Sequence, residues 1–185
     1  MTKRITIEEI NQLYRKWQTP PHVKAHCKAV AETGVRLAKE LNKKGYTLDL
    51  DLIRGSGMVH DVARVYEEHA RLGYEILMDM GYPDEAEIVK VHMFYPTFNP
   101  VEKLNECDII CLADRVVKED KYVGLDERIE YIISKGPVTE EIKARIYKSK
   151  AITKSYIEEI ETIMGKTFDE LFREENSDED EQQVR

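Results

Sequence analysis

The chain has 185 residues, 42% hydrophobic and 35% charged, enough to close one sizeable core and most simply read as a single domain. Its formal net charge of −8 argues against a protein whose main partner is a nucleic-acid backbone. No run of 18 apolar residues exists, and Met1-Thr2-Lys3-Arg4 leads into a polar stretch without a signal-peptide core, so a cytoplasmic protein with no membrane partner is expected.

Thr6-Ile7-Glu8-Glu9 is a capping box that predicts a short helix to about Trp17. Pro20-Pro21 opens the next, which runs to Asn42 with Val23, Cys27, Val30, Gly34, Leu37, Ala38 and Leu41 at helical spacing and His26 in the same stripe. After Gly45, Asp49 caps a third helix that carries Leu50, Leu52, Ile53, Met58 and Val59 and ends near His60-Asp61. Gly55 and Gly57 weaken such a helix, so close packing or an irregularity is expected there. A helix from Glu67 to Met80 places His69 on its apolar side, and the helix after Gly81-Tyr82-Pro83-Asp84 places His92 in line with Ile88 and Val89.

From Asn99-Pro100 the pattern predicts one continuous helix through Val117, apolar almost all round and therefore central, with Asp114 beside Cys107, Ile110, Cys111 and Val117. A loop is expected over 118–125, a helix over 126–134, a break at Gly136-Pro137, and a long helix over 139–164. No β-hairpin and no internal repeat is expected. Cys27, Cys107 and Cys111 each fall in an apolar helical pattern, where a small buried thiol is the ordinary reading, and none forms a CxxC. Segment 174–185 holds six acidic residues against Arg185, a net −5 of the total −8. Its low hydrophobicity and high charge predict disorder, so the single domain is expected to span 1–173.

A histidine on an apolar helix face is more often a satisfied core residue than a ligand. Here His26, His60, His69 and His92 fall on separate predicted helices, all facing inward, and Asp61 and Asp114 stand on equally apolar stretches. Six independent buried polar groups would need six separate hydrogen-bonding arrangements, whereas one metal centre satisfies them together. Neutral imidazole with carboxylate suits borderline divalent metals such as Fe, Mn, Co, Ni or Zn. Adjacent His60 and Asp61 point about 100° apart on a helix, so they share a ligand most easily at a helix end.

The order His26, His60-Asp61 and Asp114 within Leu112-Ala113-Asp114-Arg115 resembles the signature of the HD superfamily of metal-dependent phosphohydrolases. The surroundings agree: His22-Val23-Lys24-Ala25-His26-Cys27-Lys28-Ala29-Val30 is similar to that superfamily's first-ligand helix, and Met58-Val59-His60-Asp61-Val62-Ala63-Arg64 to its second. His69 and His92 resemble the extra histidines of the subgroup that binds two ions. The likeness covers residues 20–131, and it implies an all-α, HD-domain-like helical bundle.

It further implies that His26, His60, Asp61 and Asp114 hold one divalent ion while His69 and His92 hold a second bridged by Asp61, with Fe or Mn favoured and Co, Ni, Mg and Zn also open. A bridging carboxylate sets two cations roughly 3.5–4 Å apart, the spacing used in phosphoester hydrolysis. Water acidified between them would attack, so Asp61 is the expected catalytic carboxylate and no separate general base is named. The substrate implied is a small phosphorylated molecule, a nucleotide in the leading reading, and a homodimer is left open. Arg64, where the superfamily more often has Lys, is expected to continue the helix and aim its guanidinium at a phosphate oxygen, the competing role being an ion pair with Glu67 or Glu68. Arg115, Lys118 and Lys121 are expected to line the substrate entrance. Lys143, Arg145, Lys148 and Lys150 read as a solvated face. Two other functions are carried forward: a di-iron oxygenase on the same fold, and a non-catalytic metal- or nucleotide-binding sensor.

Overall fold

A computed structural model describes residues 3–95 and 97–173, so the disorder expected for 174–185 falls outside the described residues. The Thr6 hydroxyl accepts from the Glu9 amide and the Glu9 carboxylate accepts from the Thr6 amide, closing the expected capping box at the start of α1 (Ile7–Lys16). Pro20 and Pro21 lead into α2 (Pro21–Asn42), the long central helix. Asp49 accepts from the Asp51 and Leu52 amides and starts α3 (Leu50–Val59). Then follow α4 (His69–Asp79) and α5 (Pro83–Val91).

The helix expected over 99–117 is two pieces. A 3-10 turn at Val101–Lys103 precedes α6 (Glu106–Asp114). Asn105 makes the break: its side chain accepts from the Cys107 and Asp108 amides while Asp108 accepts from the Asn105 amide, a second capping box hidden in an apolar run. The loop expected after it contains an antiparallel hairpin of β1 (Val117–Lys118) and β2 (Lys121–Tyr122), with Val117 opposite Tyr122. Its two-residue turn puts Glu119 at φ 55°, a conformation usually marked by Gly or Asn, so the sequence carries no warning of it. The chain closes with α7 (Leu125–Ser134), α8 (Glu140–Met164) and α9 (Phe168–Arg173), the last not anticipated.

The all-α expectation holds, since the hairpin is the sole sheet among the described residues. The main core joins α2, α3 and α6 to the C-terminal half of α8 and to α9, through Leu37, Leu41, Ile53, Ile110, Ile160 and Phe172. Close approach of α2 and α3 depends on Gly57: a Cβ there would lie 2.6 Å from the Ala31 Cα, closer than any repacking permits. Gly55 likewise lies against Ile5, which a Cβ would approach to 2.8 Å. Cys27 and Cys111 are buried as expected, and Cys107 is only partly so. Among the described residues no helix is long and apolar enough to cross a membrane.

Candidate metal centre

The six singled-out residues come to one place because five of them stand at or just beyond helix ends. His60 and Asp61 follow the last residue of α3, His69 opens α4, His92 follows α5, and Asp114 closes α6; only His26 lies inside its helix, α2. The chain leaves the helix immediately after Val59 in a series of turns. Four imidazoles form a row, with ring centroids 5.3 Å apart from His26 to His60, 5.2 Å from His60 to His92 and 5.4 Å from His92 to His69. Two triads result, His26/His60/Asp114 and Asp61/His69/His92, each with one ligand-type atom per residue and all three such atoms within 4.8 Å of one another.

Backbone carbonyls orient three of the rings. Nδ1 of His60 donates to the Gly57 carbonyl at 2.8 Å, that of His92 to Val89 at 2.7 Å, and that of His26 to Glu119 at 3.0 Å. A ring whose Nδ1 carries the shared proton offers Nε2 as a lone pair, the tautomer a metal ligand needs. His26 Nε2 faces Asp114 Oδ1 at 3.0 Å. Nε2 of His69 and of His92 approach Asp61 Oδ1 to 3.1 and 3.3 Å, and His60 Nε2 stands 3.8 Å from Asp61 Oδ2. Those approaches are ion-pair distances without hydrogen-bond direction, so His60 Nε2, His92 Nε2 and Asp61 Oδ1 are buried with no hydrogen-bond partner. Orphaned buried acceptors of nitrogen and carboxylate type are what a divalent cation satisfies, and the donor set fits one.

Electrostatics distinguish the rings: at His92 burial is outweighed by the attraction of Asp61 and the Val89 carbonyl, which raises the pKa. Burial pushes the His60 pKa down against the pull of Asp61 and Asp114, which favours the neutral ring. Burial alone would raise the Asp61 pKa, yet the combined attraction of His60, His69 and His92 holds it well below the carboxylate range. Asp114, also desolvated, is held down by His26, His60 and Arg128. Both carboxylates therefore stay anionic.

His26, Asp61, His92 and Asp114 line a cavity of about 990 Å³ to which α7 and α8 also contribute wall residues. Arg64 reaches it by a different route from the one expected. No helix continues past Val59, but the turns fold Arg64 back so that Nε lies 3.7 Å from Asp61 Oδ2 and Nη1 lies 3.1 Å from His69 Nε2. Glu68 pairs with Arg71 instead. Arg115 lines the cavity but is already tied, donating to Thr153 Oγ1 at 3.1 Å and to the Tyr95 carbonyl at 3.3 Å. Lys118 departs from expectation: it is absent from the cavity wall, because the β1–β2 hairpin directs it to Glu127 at 3.0 Å and over the Tyr131 ring. Lys121, exposed on β2, is absent from that wall too. Lys150, read as solvated, lines the cavity and pairs with Asp126 at 2.8 Å. Arg128 was missed. It donates to the Asp114 carbonyl at 3.3 Å and reaches Asp114 Oδ1 at 3.5 Å. The signal was available, since Arg128 shares the apolar stripe of Leu125, Ile129 and Ile132.

A family model for the HD domain matches residues 23–118, a span that contains all six residues of the two triads. The chain belongs to the HD domain family. That family is the superfamily of metal-dependent phosphohydrolases, and the two His/Asp triads of this HD domain are compatible with divalent metal. The chain is also similar to the uncharacterized protein MJ0778 of Methanocaldococcus jannaschii, 35% identical over 125 residues that cover 59% of this chain and 74% of that one. No solved structure matches it.

Proposed function

We propose that this HD domain is a two-cation phosphohydrolase acting on a small phosphoester or phosphoanhydride, in the first instance a nucleotide, in the cytoplasm. One observation carries the reading: the two triads meet at Asp61, whose Oδ2 faces His60 of one while its Oδ1 faces His69 and His92 of the other. In this assignment His26, His60, Asp61 and Asp114 hold one divalent ion, and Asp61, His69 and His92 hold the second. Such ions lower the pKa of water and polarise a phosphoryl oxygen.

The protein's own groups do the rest. Nδ1 hydrogen bonds to Gly57, Val89 and Glu119 fix three imidazoles in the ligating tautomer. Arg64, 45% exposed at the lip, supplies a planar guanidinium for a phosphate oxygen. Arg128 steadies Asp114, and Arg115 and Lys150 add positive charge to the cavity wall. A cavity of about 990 Å³ suits a small ligand, at the upper end of ordinary ligand sites. The imidazole and carboxylate donors suit borderline divalent ions, and the family resemblance favours Fe or Mn among them.

The test is elemental analysis of protein purified without chelator, followed by phosphate release from a nucleotide panel with Mn, Fe, Co, Ni and Mg. Two ions per chain and chelator-sensitive phosphate release are expected. Full loading with no release from any phosphoester moves the assignment to a sensor. Aerobic substrate oxidation with an iron-pair spectrum moves it to an oxygenase.

A further inference from the structure

A second concavity lies on the opposite side of α2 from the metal centre. Lys28 stands two residues on from His26, about 200° round the helix, and from there Ala31, Val35, Lys39 and Lys43 follow along one face. This face forms one wall of a groove of about 960 Å³, closed by Leu50, Arg54 and Met58 of α3 and by Lys166, Glu170 and Leu171 near the C-terminal end of the described chain. Its lining holds the cations Lys28, Arg36, Lys39, Lys43, Arg54 and Lys166 against Glu32, Glu40 and Glu170, a net of +3 in a chain whose total is −8. The floor is apolar, with Val35, Leu50 and Met58 only partly covered.

We infer that the acidic segment 174–185 of the same chain docks in this groove, its carboxylates meeting Lys39 and sharing Lys28, Lys43 and Arg54 with their present partners Glu32, Glu40 and Asp51. Three observations carry the assignment. First, the charges complement: the segment carries six acidic residues and one arginine, and the groove lining is net positive. Second, the described chain ends beside the groove: Glu170 and Leu171 of α9 line it, three to four positions before residue 174 in sequence. Third, the reach suffices. The α2 face from Lys43 back to Lys28 is about 22 Å long at the helical rise, whereas 12 residues in extended form span up to roughly 40 Å.

Each ion pair on so exposed a surface is weak, but the tether raises the effective concentration of the segment to about the millimolar range. Several weak contacts then suffice for substantial occupancy. The docked segment would cover a basic, partly apolar surface that otherwise attracts acidic ligands, and it would do so without touching the metal centre.

Zero-length carbodiimide coupling on the full chain, followed by peptide mapping, tests this directly. Links from Lys28, Lys39, Lys43 or Lys166 to Glu174–Glu181 are expected within single copies. Their yield should be unchanged over about a hundredfold dilution and should fall severalfold in about 1 M NaCl. The charge-reversed pair Lys39→Glu and Lys43→Glu, both exposed, should keep the fold by thermal melt and lose most of that yield. Links that weaken with dilution would assign the groove to a second copy. Links confined to Lys135 or Lys150 would send the segment to the metal-centre cavity, and no links to the groove lysines, or a yield indifferent to the double reversal, would overturn the inference outright.

Discussion

Asp108 and Asp114 stand six residues apart on α6, in the same apolar run, and they do opposite work. Asp108 is fully buried and saturated with donors: the Tyr95 hydroxyl at 2.7 Å, the Asn99 amide at 3.0 Å, the Asn99 side chain at 2.9 Å and the Asn105 amide at 3.0 Å. Asp114, and Asp61 across from it, face imidazole nitrogens, and Asp61 keeps an oxygen with no hydrogen bond at all. A buried carboxylate answered by protein donors is a structural pin. One answered by ring nitrogens, with Nδ1 of His60 and His92 already bonded to backbone carbonyls, is a donor set that fits a cation.

That contrast breaks first at Asp61. Asp61→Asn keeps the volume and removes the charge that both triads share, so turnover should fall by at least about a thousandfold, roughly 4 kcal/mol in the barrier, and bound metal should fall with it. The metal-free protein should melt almost where wild type does, because the substitution keeps the volume and removes a buried charge that no protein donor satisfies. A large loss of stability with metal content intact would place Asp61 in the same class as Asp108. Asp108→Ala is the mirror experiment. It strands four donors, so a loss of about 3 kcal/mol or more is expected, read as a drop of several degrees in Tm at unchanged metal stoichiometry.

The sequence makes one side of this contrast visible and hides the other. Imidazoles and carboxylates recurring on apolar helical stripes pick out His26, His60, Asp61, His69, His92 and Asp114, because a stripe records which residues face inward. It does not record what they meet there. Asp108 and Asp114 look alike in the run from Cys107 to Val117, and only the break at Asn105 and the return of Tyr95 and Asn99 separate them. The helical architecture is legible for the same reason, whereas the hairpin at Val117–Tyr122 is not, since its turn uses Glu119 with no Gly or Asn to signal it. Lys118 and Lys150 exchange roles relative to expectation because the packing of α7 and α8 decides which cation faces the cavity, and that is tertiary information.

Within the centre the contrast sharpens at its exposed edge. His69 opens α4 and shares Asp61 with His92. His69→Ala should therefore lower the stoichiometry from two ions to one and cost at least about a hundredfold in turnover, more than the loss of a partner that only orients a ligand. Two ions retained at full occupancy would show that the second triad is wrongly drawn. Arg64 touches the same residues from outside the protein core, and Arg64→Ala should cost about tenfold in kcat/KM, roughly 1.4 kcal/mol, with both ions kept. Unchanged kinetics would leave Arg64 a surface group that happens to lie beside His69.

Glu9 carries the donor-satisfied arrangement to the surface, and there it titrates in an accessible range. Its Oε1 accepts from the Tyr82 hydroxyl at 2.6 Å and from Lys3 at 3.2 Å, and its Oε2 accepts from the Thr6 amide at 2.9 Å and hydroxyl at 2.7 Å. The Tyr82 hydrogen bond, followed by those from Thr6, holds its pKa down to about 2 against an ordinary 4.5. A depressed carboxylate pKa adds stability that is fully present above pH 4.5 and drains away as pH falls toward about 2. Because solvent screens this cluster, the contribution is about 1 kcal/mol, far below that of Asp108. Glu9→Gln should therefore be less stable than wild type by that margin in urea melts near neutrality, and the gap should close as the wild-type carboxylate takes up its proton. A gap of constant size through the acid range would mean that the Thr6 and Tyr82 contacts stabilise α1 by geometry alone, with no share owed to the charge.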